Sequence, residues 1–369
     1  MAYGRVRRPC SRWGGAPVGE SKDKLTVVSL FAGAGGLDIA ACSSGLVGRL
    51  LSTDSNPVFL QTVVNNMPRH FPGIEHHHLV ADALSLTGDM VRQALGESDI
   101  DLVMGGPPCD DFTPAGRKRG LKGDKAPLVF EFVRLVVETK PDAFIFENVP
   151  NLKMMCRTVL DDLMTRLAEA GYCIAHDILS AASFGVPSVR RRLFVVGFRS
   201  RSALSLFHFP FPTHSEEARQ LPLPGLGGGL SPVVTVGDVL HDLPDVTDPR
   251  AAFFPNHEGR KHRPQTVEHL KTVPQGVAVD KSYRYRAPWG GLCRSLTAGL
   301  DDSAKAYIHP LHHREMSVRE YARIHGFPDS WVFAGRLDSG LKQIANAVPV
   351  PLGCAVVGSV LNAMTRGGK

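Results

Sequence analysis

Cys109 follows Pro107 and Pro108 and precedes Asp110, Asp111 and a glycine-containing basic stretch. The prolines fix the turn and the glycines let the next segment move, an arrangement suited to a nucleophilic thiol beside a loop that closes over a substrate. A single cysteine is more often a buried, inert thiol. That reading leaves unexplained the carboxyl of Glu147, which opens Glu147-Asn148-Val149 directly after the apolar run Phe144-Ile145-Phe146. A thiol and a carboxyl at neighbouring strand ends can attack and protonate the same ring.

A second group of residues reads as a ligand cradle. Phe31-Ala32-Gly33-Ala34-Gly35-Gly36-Leu37 is a glycine turn at a strand end, which allows close approach of a ligand to backbone and helix N-terminus. It is not the dinucleotide fingerprint, which would need a third glycine where Asp38 stands, so a nicotinamide oxidoreductase is disfavoured. Asp54, at the end of the next strand-like run, can accept from two ribose hydroxyls, and Asp82, at the end of the third, from an exocyclic amine. Each aspartate alone is more often a helix cap. In this order they describe a pocket for an adenosine-bearing cofactor.

Residues so spaced need strand ends to hold them. Segments 25–31, 49–53, 101–104, 143–146 and 193–198 are largely β-branched or apolar and 77–81 is a weaker strand, with helical patterns at 57–65, 126–139 and 158–170 between them. The alternation predicts an α/β fold, a doubly wound, mostly parallel Rossmann-like sheet with ligands bound beyond the carboxyl ends of its strands. After residue 199 the texture changes: residues 210–232 hold five prolines and a Gly-Gly-Gly run at 227–229. The expected organisation is a basic tail over 1–24, a first domain over 25–198, a smaller irregular domain over 199–300, and a return to the first domain over 301–369. Ser317 and Glu320 have the spacing of a capping box, and an apolar helix over about 350–364 is expected to pack on the first domain.

Composition narrows the class. The 369 residues, 43% hydrophobic and 21% charged, exclude wholesale disorder and a fibrous repeat. No uninterrupted apolar run of membrane-spanning length is evident, and the arginine-rich start lacks a signal-like apolar segment, so cytosol, or nucleus in a eukaryote, is the expected compartment. Seven cysteines with no C-x-x-C pair suit reduced thiols. His76-His77-His78 and His312-His313 read as solvated loop residues rather than a metal centre, and no metal is expected. The net charge of +6 permits a polyanionic partner. Residues 1–24 carry six Lys/Arg against two acidic residues, and 117–125 carry five (Arg117, Lys118, Arg119, Lys122, Lys125) against Asp124. The second cluster, just after Cys109, is the harder to dismiss as solvated surface.

Taken in order, the blocks resemble the cytosine-C5 DNA methyltransferases. They are Phe31–Leu37, Pro107-Pro108-Cys109 with Phe112 and Ala115-Gly116, Glu147-Asn148-Val149, Gly185-Val186-Pro187 with Arg190 and Arg192, Arg319-Glu320 through Gly326-Phe327-Pro328-Asp329, and Gln343 with Asn346-Ala347-Val348-Pro349. The resemblance implies S-adenosylmethionine along Gly33, Gly35 and Gly36, its ribose at Asp54, its adenine near Phe31 and Asp82, with Pro107 and Asn346 towards the donor end. It implies that Cys109 adds to C6 of a cytosine in duplex DNA, that Glu147 holds or protonates N3, that Arg192 contacts O2, and that Arg190 positions the base or the loop. The base must be flipped out for this chemistry. By the same resemblance 199–300 is a target-recognition domain, 117–125 a closing loop, and the whole a compact prokaryotic or phage enzyme acting as a monomer on DNA without a membrane. Three positions depart from the pattern: Asp110 and Ser188 stand where Gln is usual, and Ala345 where Gly is usual. Asp110 would disfavour a neighbouring thiolate. An RNA cytosine-C5 methyltransferase, or a relative using a modified donor or modified cytosine, would share the same blocks.

Overall fold

A computed structural model describes residues 24–108, 127–217, 229–277, 285–296 and 307–367. Among them, β1 (Leu25–Leu30), β2 (Val47–Asp54), β3 (Glu75–Val80), β4 (Leu102–Gly105), β5 (Ala143–Asn148), β6 (Cys173–Ser180) and β7 (Arg191–Phe198) form one sheet in the order β3-β2-β1-β4-β5-β7-β6. Only β7 runs against the rest. Strands β1, β4 and β5 are buried along their whole length, as central strands covered on both faces must be. Residues alternate between two cores. Val27, Leu50 and Ile145 face α1 (Gly36–Cys42), α2 (Pro57–His70) and the long C-terminal helix, while Val28, Phe144 and Phe146 face α3 (Gly88–Ala94), α4 (Pro127–Thr139) and, beyond the short α5 (Asn151–Met154), α6 (Arg157–Glu169).

Local chemistry sets the helix ends. Asn56 caps α2 by accepting from the N–H groups of Val58 (3.0 Å) and Phe59 (3.3 Å), with Pro57 in the first turn. After β7 the chain forms α7 (Arg201–Leu206), which packs against β6 and β7, then the short parallel pair β8 (His214–Ser215) and β9 (Ser231–Pro232). Next come α8 (Val236–Leu240), a 3-10 turn over Pro249–Phe253, and α9 (Pro264–Thr272). The chain returns through α10 (Val318–Ile324), α11 (Leu337–Asn346) and α12 (Val350–Gly367). The predicted capping box is present: Ser317 Oγ accepts from Glu320 N–H while the Glu320 carboxylate accepts from Ser317 N–H. The stretch Leu337–Gly367 is long and apolar enough in composition to cross a bilayer, which amends the sequence expectation, but 72% of its most apolar window is buried within the protein, where α12 packs on α1.

Strand β6 and helices α3, α7 and α11 had not been expected. The three adjacent histidines are not on a loop either: they form β3, where His76 and His78 alternate with His77 about the sheet plane.

Candidate active site

Loop 31–36 joins β1 to α1. Three of its residues take left-handed backbone angles, Phe31 (φ 54°), Gly33 (φ 57°) and Gly35 (φ 84°). In Phe31, which has a Cβ, that conformation is strained and needs the surroundings to enforce it. They do so from several directions. Ala32 N–H donates to Thr53 O (2.9 Å), Trp331 Nε1 donates to Ala34 O (3.1 Å), and Gly36 lies so close to the Val348 carbonyl that no side chain fits at that position. A Cβ on Gly33, by contrast, would meet nothing closer than 3.9 Å, so the loop presents an open backbone there.

Asp54 stands at the end of β2 with both carboxylate oxygens engaged: Oδ2 accepts from Gly33 N–H (2.9 Å) and Oδ1 from Asn56 N–H (2.8 Å). Burial pushes its carboxyl up, and these amide hydrogen bonds oppose the shift. Asp82 is exposed beyond β3 and accepts from Leu84 N–H at 3.0 Å, capping the following turn.

Gly106 and Pro107 leave β4 beside the end of β5, where Asn148 Nδ2 donates to Pro107 O (3.3 Å). A Cβ at residue 106 would fall 2.5 Å from Glu147 Oε2. Glu147 is 6% exposed and ion-paired with Arg192, whose Nε lies 2.8 Å from Glu147 Oε1. Burial raises the Glu147 carboxyl above its ordinary range, while Arg192 and Arg190 pull it back. Cys109, Asp110 and the basic stretch 117–125 lie outside the described residues; Pro107 and Pro108 lead directly to them.

From Ser188 to Arg191 burial alternates: Ser188 and Arg190 are inward, Val189 and Arg191 outward. Arg190 is buried and donates to the carbonyls of Leu296 (3.3 Å), Ala345 (2.9 Å) and Ala347 (3.0 Å). It therefore clamps the backbone on both sides of Asn346, whose own side chain is exposed at the end of α11. Gln343 is fully buried; it accepts from Thr62 Oγ1 (2.6 Å) and donates to Ala334 O (2.8 Å). Arg319, equally buried, donates to Pro255 O, Pro328 O and Trp331 O, and Arg314 joins Asp245 to Glu320. The blocks at 319–329 and 343–349 are thus fixed in the interior, next to the Trp331 and Val348 contacts that hold loop 31–36.

One set of residues escaped sequence reasoning. Asp38, noted only as the residue that breaks a glycine pattern, is wholly buried beneath the loop and accepts from Ser29 Oγ (2.9 Å) and Ser52 Oγ; Ser52 Oγ in turn meets His76 Nε2 at 3.1 Å. Burial raises the Asp38 carboxyl to about 6 and lowers the His76 imidazole to about 4. An aspartate one residue past a glycine turn, with serines in two adjoining strand runs, was the available signal.

A seven-stranded sheet with one reversed strand and a glycine loop after β1 defines the class I methyltransferase fold. The crystal structure of a prophage-encoded protein described as a DNA modification methyltransferase (E. coli) matches it with a TM-score of 0.71 at 23% identity, over 93% of this chain and 100% of that one. The Entamoeba histolytica methyltransferase EhMeth matches with a TM-score of 0.62 at 13% identity, over 92% and 99% of the two chains. By sequence the chain is 32% identical to the Type II methyltransferase M.SacI of Streptomyces achromogenes, over 92% of this chain and 93% of the relative, and 30% identical to M1.HphI of Haemophilus parahaemolyticus, over 93% and 88%. The model of the C-5 cytosine-specific DNA methylase family matches residues 25–362, and the chain belongs to that family. It is a DNA cytosine-C5 methyltransferase.

Proposed function

We propose that this enzyme methylates a flipped-out cytosine in duplex DNA through a covalent adduct at Cys109, with Glu147 as the group that carries the proton at N3. The observation that supports this reading best is the buried Glu147–Arg192 pair against Gly106, three residues before Cys109. S-adenosylmethionine, when bound, supplies an electrophilic methyl group on a sulfonium. The open backbone at Gly33 and the Asp54 carboxylate, which has acceptor capacity beyond its two amide donors, fit its adenosine end, with Phe31 and Asp82 towards the base and Pro107 and Asn346 towards the donor end.

The Cys109 thiolate forms an S–C6 bond as Glu147 delivers a proton to N3, so that electron density moves to C5. C5 takes the methyl group. Loss of the C5 proton to a solvent base, cleavage of the S–C6 bond and return of the N3 proton to Glu147 then restore the thiolate, the protonated carboxyl and the aromatic ring. Arg192 serves twice, orienting Glu147 and donating to the cytosine O2. Arg190 acts at one remove, by fixing the backbone around Asn346. Residues 199–300 act as the recognition domain, and 117–125 as a loop that closes on phosphates.

Duplex DNA with 5-fluorocytosine at the target tests the reading. It should trap the protein irreversibly in the presence of S-adenosylmethionine, because fluorine does not leave as a proton does, and Cys109→Ser should abolish trapping. An adduct that still forms with the serine variant rules out Cys109 as the nucleophile.

A further inference from the structure

His325 caps the C-terminal end of α10 and is 1% exposed. Its carbonyl accepts from Val350 N–H at 2.9 Å, tying α10 to the start of α12 just beyond Asn346. The ring lies within electrostatic reach of Arg190 and Arg192; one nitrogen is turned to the Tyr321 carbonyl without closing a well-formed hydrogen bond, and the other has no partner among the described residues. Ser188, on the same inward row as Arg190, is also fully buried with an unpartnered Oγ. Two buried polar side chains with unfilled hydrogen-bonding capacity therefore lie in the neighbourhood of Arg190.

A buried imidazole leaves one donor and one acceptor to satisfy, whereas an apolar ring would fill the same space without that cost. The polar ring therefore needs a use in the working enzyme. Arginine only donates, so the ring nitrogen facing it must be the unprotonated one. Arg190 is committed to three carbonyls. Arg192 holds Glu147 through Nε and the Arg191 carbonyl through Nη1 (2.8 Å), and its Nη2 meets no acceptor among the described residues.

We propose that His325 is a positioning residue for methyl transfer: its ring nitrogen accepts from Arg192 when the target base is in place, fixing the angle at which that guanidinium meets Glu147. The inference rests on the role proposed above for Glu147. Burial, reinforced by the charges of Arg190 and Arg192, holds His325 well below its ordinary range, so the acceptor nitrogen stays available at neutral pH.

The test compares methyl transfer to duplex DNA by the full chain and by His325→Phe, His325→Gln and Glu147→Gln. His325→Phe should lower kcat about tenfold or more while KM for DNA and donor changes less than about twofold. It should also move the basic limb of the pH profile upward, because a looser Arg192 lowers the Glu147 carboxyl less. His325→Gln, whose amide oxygen accepts, should restore both. Wild-type kcat and pH profile in His325→Phe overturn the proposal. So do equal losses in both variants that track their Tm, which would mark a packing residue.

If His325→Phe does not fold, ring 15N shifts in the histidine-labelled wild type decide, with His325 assigned by its disappearance in His325→Gln. They should move on forming the adduct with 5-fluorocytosine DNA, and unmoved shifts overturn the proposal. Full turnover in Glu147→Gln removes the site reading and this inference together, whereas loss there with no effect in His325→Phe removes the inference alone.

Discussion

The Glu147 carboxylate occupies space that only a glycine at position 106 leaves open: a Cβ on residue 106 would sit 2.5 Å from Glu147 Oε2. Gly106→Ala should displace the carboxylate rather than the strand, since Gly106 lies just beyond the end of β4. A shift of about 1 Å in a catalytic group costs on the order of 10² in rate. Single-turnover methyl transfer should show that loss with only a small fall in Tm; a large fall in Tm with intact transfer would contradict it.

Replacing the carboxyl itself separates acid catalysis from architecture. Glu147→Gln should lower turnover by about 10² or more, the usual scale for acid–base assistance, and leave donor affinity nearly unchanged. Titration calorimetry with S-adenosylmethionine checks the second part.

The charge beside Glu147 makes a signed prediction about pH. Burial raises this carboxyl and Arg192 opposes the rise, so Arg192→Met should raise it further. The protonated form would then persist to higher pH, and the basic limb of the rate profile should move upward even as kcat falls. A limb that moves down or stays fixed would show that Glu147 does not carry the titrating proton.

Arg190 should behave differently from Arg192 despite lying two residues away. Its donors go to carbonyls that flank Asn346, and a hydrogen bond from a charged donor contributes about 1.5–3 kcal/mol. Arg190→Met should therefore lose at least about that much stability and raise the Kd for the donor, as seen by denaturant unfolding and calorimetry.

Buried histidines should make the fold sensitive to acid. Burial lowers both His76 and His309 to about 4, so the unfolded chain binds protons that the folded chain refuses as pH falls from about 6.5 towards 4. Asp38, raised to about 6, works the other way: its contribution is full below its unfolded value near 3.8 and is lost as pH rises through 6. His76, His309 and the still lower His325 against Asp38 should give a net fall in Tm between pH 7 and pH 5, with a shallower fall in His309→Gln.

The ends of β1, β4 and β5 were legible because each is an apolar run leading to a glycine or an acidic residue, the pattern that central parallel strands leave. Strand β6 was not, since it lies at the sheet edge and most of its residues are half-buried, which blurs any apolar run. Glu147 and Arg192 were each picked out from their blocks, but their ion pair was not. That Arg190 points inward to backbone followed from the alternation of burial at 188–191, a property of the folded strand rather than of three consecutive arginines. The aspartate, two serines and histidine under the glycine loop come from four separate elements; the aspartate and serines leave a faint signal in their runs, but nothing in the chain foretells that His76 joins them. Nor does a lone His325 announce that it is buried within electrostatic reach of the arginines.

The glycine loop near the start of the chain is held by Trp331 and by the backbone at Val348, some three hundred positions downstream. During synthesis, then, the cradle exists as sequence long before it has its brace. A chain lacking these residues holds Cys109 and Glu147 without a firm seat for the donor, so we expect donor binding to switch on abruptly once residues 331–348 are free to fold against the loop. Released chains truncated from the C-terminal side, assayed for S-adenosylmethionine retention, should show a step near residue 350 rather than a gradual fall, and those lacking the brace should leave no marks on DNA.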